Sequence, residues 1–270
     1  MRHVLWVLGA GALVACSTDE FASSDAGDGG PADVAIDRAT QDASNDGVSD
    51  ATIDAVDAWA PPAPIDCNKV SGALLCADFE KVAVDQGWTT TNQIGNGTLA
   101  LDATQFYSSS HSAASTLPGF QGPAAAELAF AWSDPGAAQA VTLRYAFRVE
   151  TKVAVRISLL TFTAPTGLAK YALSLTSQQE LILDVSNGIN TQGVQIGAYA
   201  VAAWNHVSLE VRPNTNPGFT ASLDGAQKSD VGPPALGSAK NRDIRVGAQL
   251  SGGSNVPTTV RFDDVLYTAQ

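Results

Sequence analysis

The stretch "VTLRYAFRV", Val141 to Val149, places Val141, Leu143, Tyr145, Phe147 and Val149 on one side and Thr142, Arg144, Ala146 and Arg148 on the other. A period of two is the mark of a half-buried strand. The same alternation runs through "VAVRISLLTFT", "KYALSLT", "ELILDVS", "HVSLEV", "GFTASLD", "DIRVGAQL" and "TTVRFDDVLY". Turn residues return every eight to twelve positions, as "NGT", "PGF", "DPG", "SNG", "PNTNPG", "LDG" and "SGGSN". No run of ten or more residues carries a 3.6-residue period with caps. Short strands punctuated this regularly bury their apolar faces by pairing antiparallel and packing sheet on sheet or closing into a barrel. An all-β fold is expected.

This pattern is confined to residues 67–270, about 200 residues, enough for one domain with a real core. Residues 17–66 read differently. They are Asp, Ala, Ser, Gly and Thr with little aliphatic periodicity, and they hold twelve acids against one base, Arg38. The chain's net charge of −12 therefore sits almost wholly in this segment. So polar a stretch cannot bury enough apolar surface to offset its ordering entropy, and a disordered acidic stalk is expected. Within it, "DASNDGVSD" has acids spaced like the start of a calcium loop, but the twelfth position, counted from Asp42, is Ile53 rather than an acid. It reads as a solvated acidic repeat.

Residues 1–16, "MRHVLWVLGAGALVAC", have a basic start and an apolar run from Val4 to Ala15. The run falls short of the roughly 20 residues that span a bilayer, and it suits the apolar region of a secretory signal. Its end, Leu13-Val14-Ala15-Cys16, resembles the bacterial lipoprotein box. The resemblance implies that Cys16 is lipidated, becomes the mature N-terminus and holds the protein to membrane lipid. Ser17 after it suggests the outer membrane or cell surface. Cys67 and Cys76 then remain, an even pair outside the cytoplasm with a Ser71-Gly72 turn between them, and a disulfide is expected.

The most informative local signal is "AWNHVSLEVRPNTNPGFTASLDG", residues 203–225. Val207, Leu209 and Val211 alternate with Trp204, His206, Ser208, Glu210 and Arg212. A loop follows, then a second alternating run ending in the turn Asp224-Gly225. Together with "LLCADFE" (Leu74 to Glu80) before Trp88, and "IRVGAQLSGGSNVPTTVRFDDVLYT" (Ile244 to Thr268), this resembles the concanavalin A-like, laminin G-like jelly rolls. The resemblance implies a two-sheet antiparallel sandwich. The family spans sugar-binding modules, glycoside hydrolases, polysaccharide lyases and adhesive domains, so fold does not fix function.

Catalytic patterns of that fold are not found. The glucanase string Glu-x-Asp-x-x-Glu is absent, and so is the nucleophile elbow Gly-x-Ser-x-Gly. Asp78 and Glu80 are two apart but lie on the expected first strand, and the adjacent Asp263 and Asp264 should face opposite ways. The lyases use Gln-x-His with Tyr and Arg, which neither His111 nor His206 fits. A non-enzymatic domain is therefore expected, one that binds a glycan or protein ligand. A carbohydrate-active enzyme and a structural envelope domain are the alternatives. Trp204, His206, Arg144, Arg148 and Arg212 are the candidate ligand residues: aromatics stack on sugar rings and Arg forks suit carboxylates. No basic stripe favours nucleic acid. If the first and last strands pair, Asp78, Glu80, Asp263 and Asp264 converge, and a structural calcium is the expected cation.

Overall fold

The computed structural model describes residues 59–119, 121–133, 140–163, 170–212, 218–231 and 241–270. The leader with Cys16, and the stalk up to residue 58, lie outside the described residues. Every regular element among the described residues is a strand, as the alternation predicts.

Two antiparallel sheets form a jelly-roll sandwich. The eight-stranded sheet runs β13 (Ala226–Val231), β12 (Gly218–Leu223), β11 (Trp204–Arg212), β6 (Val141–Val149), β15 (Thr258–Ala269), β4 (Ser112–Leu117) and β3 (Thr98–Asp102), with β1 (Leu75–Ala77) also paired to β15. The seven-stranded sheet runs β10 (Thr191–Ala198), β9 (Glu180–Ser186), β8 (Lys170–Leu175), β7 (Ile157–Thr163), β14 (Asn241–Leu250), β5 (Ala124–Ser133) and β2 (Thr90–Ile94). First and last strands do pair, Leu75 opposite Tyr267 and Ala77 opposite Val265. Cys67 and Cys76 are joined in a disulfide. Closing so short a loop contributes roughly 2–3 kcal/mol in the chain-entropy model, and it fixes the start of β1.

The alternating residues build the core between the sheets. Val207, Leu209 and Val211 of β11 meet Leu143, Tyr145 and Phe147 of β6 on the inner face of one sheet, and Leu173, Leu183, Ile244 and Val246 come from the other. Ser115 on β4 bridges the two sheets: its hydroxyl donates to Ala126 O (2.6 Å) and accepts from Ala248 N (2.9 Å), all three residues being fully buried. The strands break register at defined places. In β14 the pairing with β7 shifts between Val246 and Gln249, where Gly247 adopts φ 150°. A Cβ there would lie 2.2 Å from Ala126 O, so only glycine lets β14 approach β5 this closely.

Candidate functional site

Side chains that do not enter the core form two polar faces. On the eight-stranded sheet, β11 turns Trp204, His206, Ser208 and Glu210 outward, opposite Arg148, Ala146, Arg144 and Thr142 of β6. Trp204, His206, Arg144 and Arg148 therefore share one outer face. Arg148 is engaged by Glu150 through two hydrogen bonds of 2.8 and 3.1 Å, and Glu150 also accepts from Arg261 at 3.0 Å. Arg212 lies apart at the end of β11, 3.7 Å from Glu210.

The middle of this face is covered by chain that the sequence assigned to the stalk. Trp59 to Ile65, containing Pro61, Pro62 and Pro64, lies across it, so the packed domain begins before Cys67. Trp59 sits on Gly225, where a Cβ would be 2.0 Å from its Cδ1. Its ring centroid is 5.6 Å from that of His206. Tyr107 also packs on His206, at 4.5 Å and edge to face, and its hydroxyl donates to Pro62 O. Ile65 N donates to Asp264 Oδ2 at 2.8 Å. Proline holds such a segment extended, so little ordering entropy opposes its seating. Beneath it is a cavity of about 360 Å³ whose lining includes Trp59, Tyr107, Arg144, His206, Ser222 and Asp264.

Asp263 and Asp264 were expected to face opposite ways, and the structure corrects this. The pairing of β15 with β6 shifts between Asp263 and Leu266, and Asp264 has φ 52°. The bulge turns both acids outward while Phe262 and Val265 stay in the core. Asp263 accepts from the amides of Tyr107 (2.8 Å), Ser108 (3.0 Å) and Asp264 (2.9 Å), and from the Ser108 hydroxyl (3.0 Å). Burial nevertheless pushes its carboxyl up to about 7. Asp264 is also raised, chiefly by burial, with the nearby Asp78 adding to it. Glu80 points away, to Ser110 and His111. The expected calcium set thus does not fit: Asp263 is saturated by hydrogen-bond donors and Glu80 is engaged elsewhere. Among the described residues no group of three or more acid, His or Cys side chains could hold a metal ion.

The other face belongs to the seven-stranded sheet. Several of its outward side chains are small, among them Ser158 on β7 and Ala172 and Ser174 on β8. They leave a groove of about 430 Å³, walled by Arg156, Lys170, Asp184, Ser186, Thr191 and Gln249. Arg156 pairs with Asp184, and Arg245 pairs with Asp243 at 2.9 Å. These pairs cancel part of the face's charge, and Lys170 adds a further cation to the groove wall. Outside the groove's lining, but within reach of the charge of Lys170 in its wall, Glu127 is buried on β5 and held by Asn92 Nδ2 at 2.8 Å. Burial raises its carboxyl, against the opposing pull of Arg245 and Lys170. None of these groove residues was singled out from sequence. The signal available was one acid inside the otherwise apolar run "AAAELAFAW". Among the described residues no His or Tyr lies on this face, so the Gln-x-His, Tyr and Arg set is not assembled there.

No protein-family model matches the chain, and no curated protein is similar to it in sequence. Solved structures are similar in fold. An endo-β-1,4-glucuronan lyase from the fungus Trichoderma reesei superposes with a TM-score of 0.60 at 15% identity, over 73% of this chain and 96% of the enzyme. A family 14 alginate lyase from Aplysia kurodai does so with 0.51 at 12%, over 68% and 92%. A conserved carbohydrate esterase from a Shiga toxin-encoding bacteriophage gives 0.52 at 15%, over 72% and 97%. These neighbours correct the expectation of a non-enzymatic domain, since the fold in this form is that of polysaccharide lyases and an esterase. The described chain is a two-sheet jelly-roll sandwich of the same architecture as these carbohydrate-active enzymes.

Proposed function

We propose that the domain cleaves a polysaccharide laid along the groove of the seven-stranded sheet. The observation that carries this reading is the groove itself: a floor of small residues, walls of paired ions and amide or hydroxyl groups, and Glu127 buried within reach of the charge of Lys170. A sugar polymer needs a long trough with many donors and acceptors rather than a net charge. Arg156, Asp184, Gln249 and Ser186 offer both kinds. Glu127 is the proton-transfer group in this reading. A carboxyl raised by burial suits proton exchange with a glycosidic oxygen or a ring carbon, and Lys170, which lines the groove, acts on its charge. The fold shared with two lyases and an esterase supports the substrate class.

The full chain should release new reducing ends from at least one member of a panel of glucuronan, alginate and neutral β-glucans. Ultraviolet absorbance of unsaturated ends separates elimination from hydrolysis. Glu127→Gln should lower turnover at least a hundredfold while leaving the melting temperature near wild type. Full turnover by that variant would remove Glu127 from the chemistry. Silence across the panel would remove the enzymatic reading.

We also propose that this domain is held to a bacterial envelope, in the outer membrane, by lipid on Cys16, with the acidic residues after it as a stalk. The leader sequence supports this. Cys16→Ser should move the protein from the membrane fraction to the soluble one, and a variant still membrane-bound with wild-type mass would contradict it.

A further inference from the structure

We infer that the cavity under Trp59–Ile65, on the sheet opposite the groove, is a second binding site, for the neutral vicinal diol of a mono- or disaccharide. It lies on the other sheet face, so it stands or falls independently of the cleavage reading.

Three lining residues each carry a buried polar atom without a hydrogen-bond partner among the described residues: Asp264 Oδ1, His206 Nε2 and the Tyr145 hydroxyl. Asp264 uses Oδ2 for the Ile65 amide. The His206 ring has Nδ1 3.3 Å from Asp224 Oδ1. An ionised carboxylate can only accept, so a neutral ring keeps its proton on Nδ1 and presents a lone pair at Nε2. Two open acceptors beside the Tyr145 hydroxyl call for a ligand whose hydroxyls both donate and accept. Leaving such buried atoms unmatched is destabilising, and a bound diol removes that cost.

The surroundings narrow the ligand. An ammonium or other cation would also donate, but the charge of Asp264 is already offset by Arg144 in the same cavity, which opposes a second cation. A neutral diol meets no such penalty. Trp59 and Tyr107, both packed on His206, supply aromatic surface to the cavity, and aromatic faces accept the C–H side of a pyranose ring while its hydroxyls reach the acceptors. The volume, about 360 Å³, lies at the small end of ligand pockets, which run from about 300 to 1,000 Å³. It suits one or two sugar rings, not a polymer. One wall is the segment leading to the stalk, so the site exists only while that segment is seated.

The test is tryptophan fluorescence of the full chain titrated with glucose, galactose, mannose and cellobiose, because Trp59 lines the site and Trp204 packs near its Tyr107. At least one sugar should give a saturable change. Asp264→Asn, which keeps an acceptor for Ile65 but puts a donor where Oδ1 was open, should weaken it at least tenfold. Ser222→Trp, a substitution at a half-buried outward position lining the cavity, should abolish it with the melting temperature unchanged. Glu127→Gln on the far face should bind like wild type. Saturation by none of the sugars, or equal affinity in both cavity variants, would overturn the site and leave the cavity to water alone.

Discussion

His206 and Asp224 hold each other from both ends. The His206 amide donates to Asp224 Oδ1 at 2.8 Å, the Asp224 amide donates to His206 O at 2.9 Å, and the ring Nδ1 lies 3.3 Å from the same carboxylate oxygen. Asp224 can do this because it and Gly225 form the turn between β12 and β13 with φ 47° and 82°, both in the left-handed region. The turn, the imidazole orientation and the seat of Trp59 are thus one construction.

Gly225→Ala should damage all three at once. The backbone conformation costs about 1–2 kcal/mol for a residue with a Cβ, and that carbon would collide with Trp59. The expected outcome is a destabilised domain whose Trp59 emission shifts to the red, read by denaturant melts and fluorescence. An unshifted spectrum would mean that Trp59 does not rest on the turn.

Ser115→Ala should be costly for a residue so small. Its hydroxyl serves a carbonyl and an amide on two strands of the opposite sheet. Removing it leaves both buried and unpaired, for a loss of about 1–3 kcal/mol. A change below a few tenths of a kcal/mol in a urea melt would contradict the bridge.

Stability should fall on both sides of an acidic optimum. Burial works against Asp102, yet the hydroxyl and amide of Thr104 and the Arg261 guanidinium hold its carboxyl down to about 2, from 3.8. That stabilisation is present above the unfolded value and is lost as pH drops toward about 2. Asp263 behaves oppositely: raised from 3.8 to about 7, it stabilises most below about 4 and less as pH climbs through 7. Denaturant melts across this range should show Asp102→Asn flattening the acid limb and Asp263→Asn flattening the limb toward neutrality. Unchanged limbs in both variants would refute these assignments.

Much of the fold was legible because alternation is a direct imprint of a half-buried sheet. Each alternating run falls on one of the strands β6, β7, β8, β9, β11, β12, β14 and β15. The strand that carries Glu127 was not. In β5, "AAAELAFAWS", the first six residues are all buried, so no polar side interrupts the pattern, and alanine is a poor strand signal. The outer face of Trp204, His206 and Arg144 followed from periodicity, but its cavity did not. Trp59 and Tyr107 come from segments without any period, and only tertiary packing brings them to His206. The pairing of Asp263 with Asp264 on one side needed a bulge, which inserts a residue no alternation rule foresees.

Which face handles polysaccharide is tested most directly by filling one site at a time. Ser186→Trp places an indole at a half-buried wall of the groove, and Ser222→Trp does the same in the opposite cavity. Both variants and wild type are assayed for new reducing ends on the polysaccharide that wild type cleaves best. Ser186→Trp should lose at least nine-tenths of the activity while Ser222→Trp keeps it. Loss in Ser222→Trp with full activity in Ser186→Trp would contradict a catalytic groove on the seven-stranded sheet.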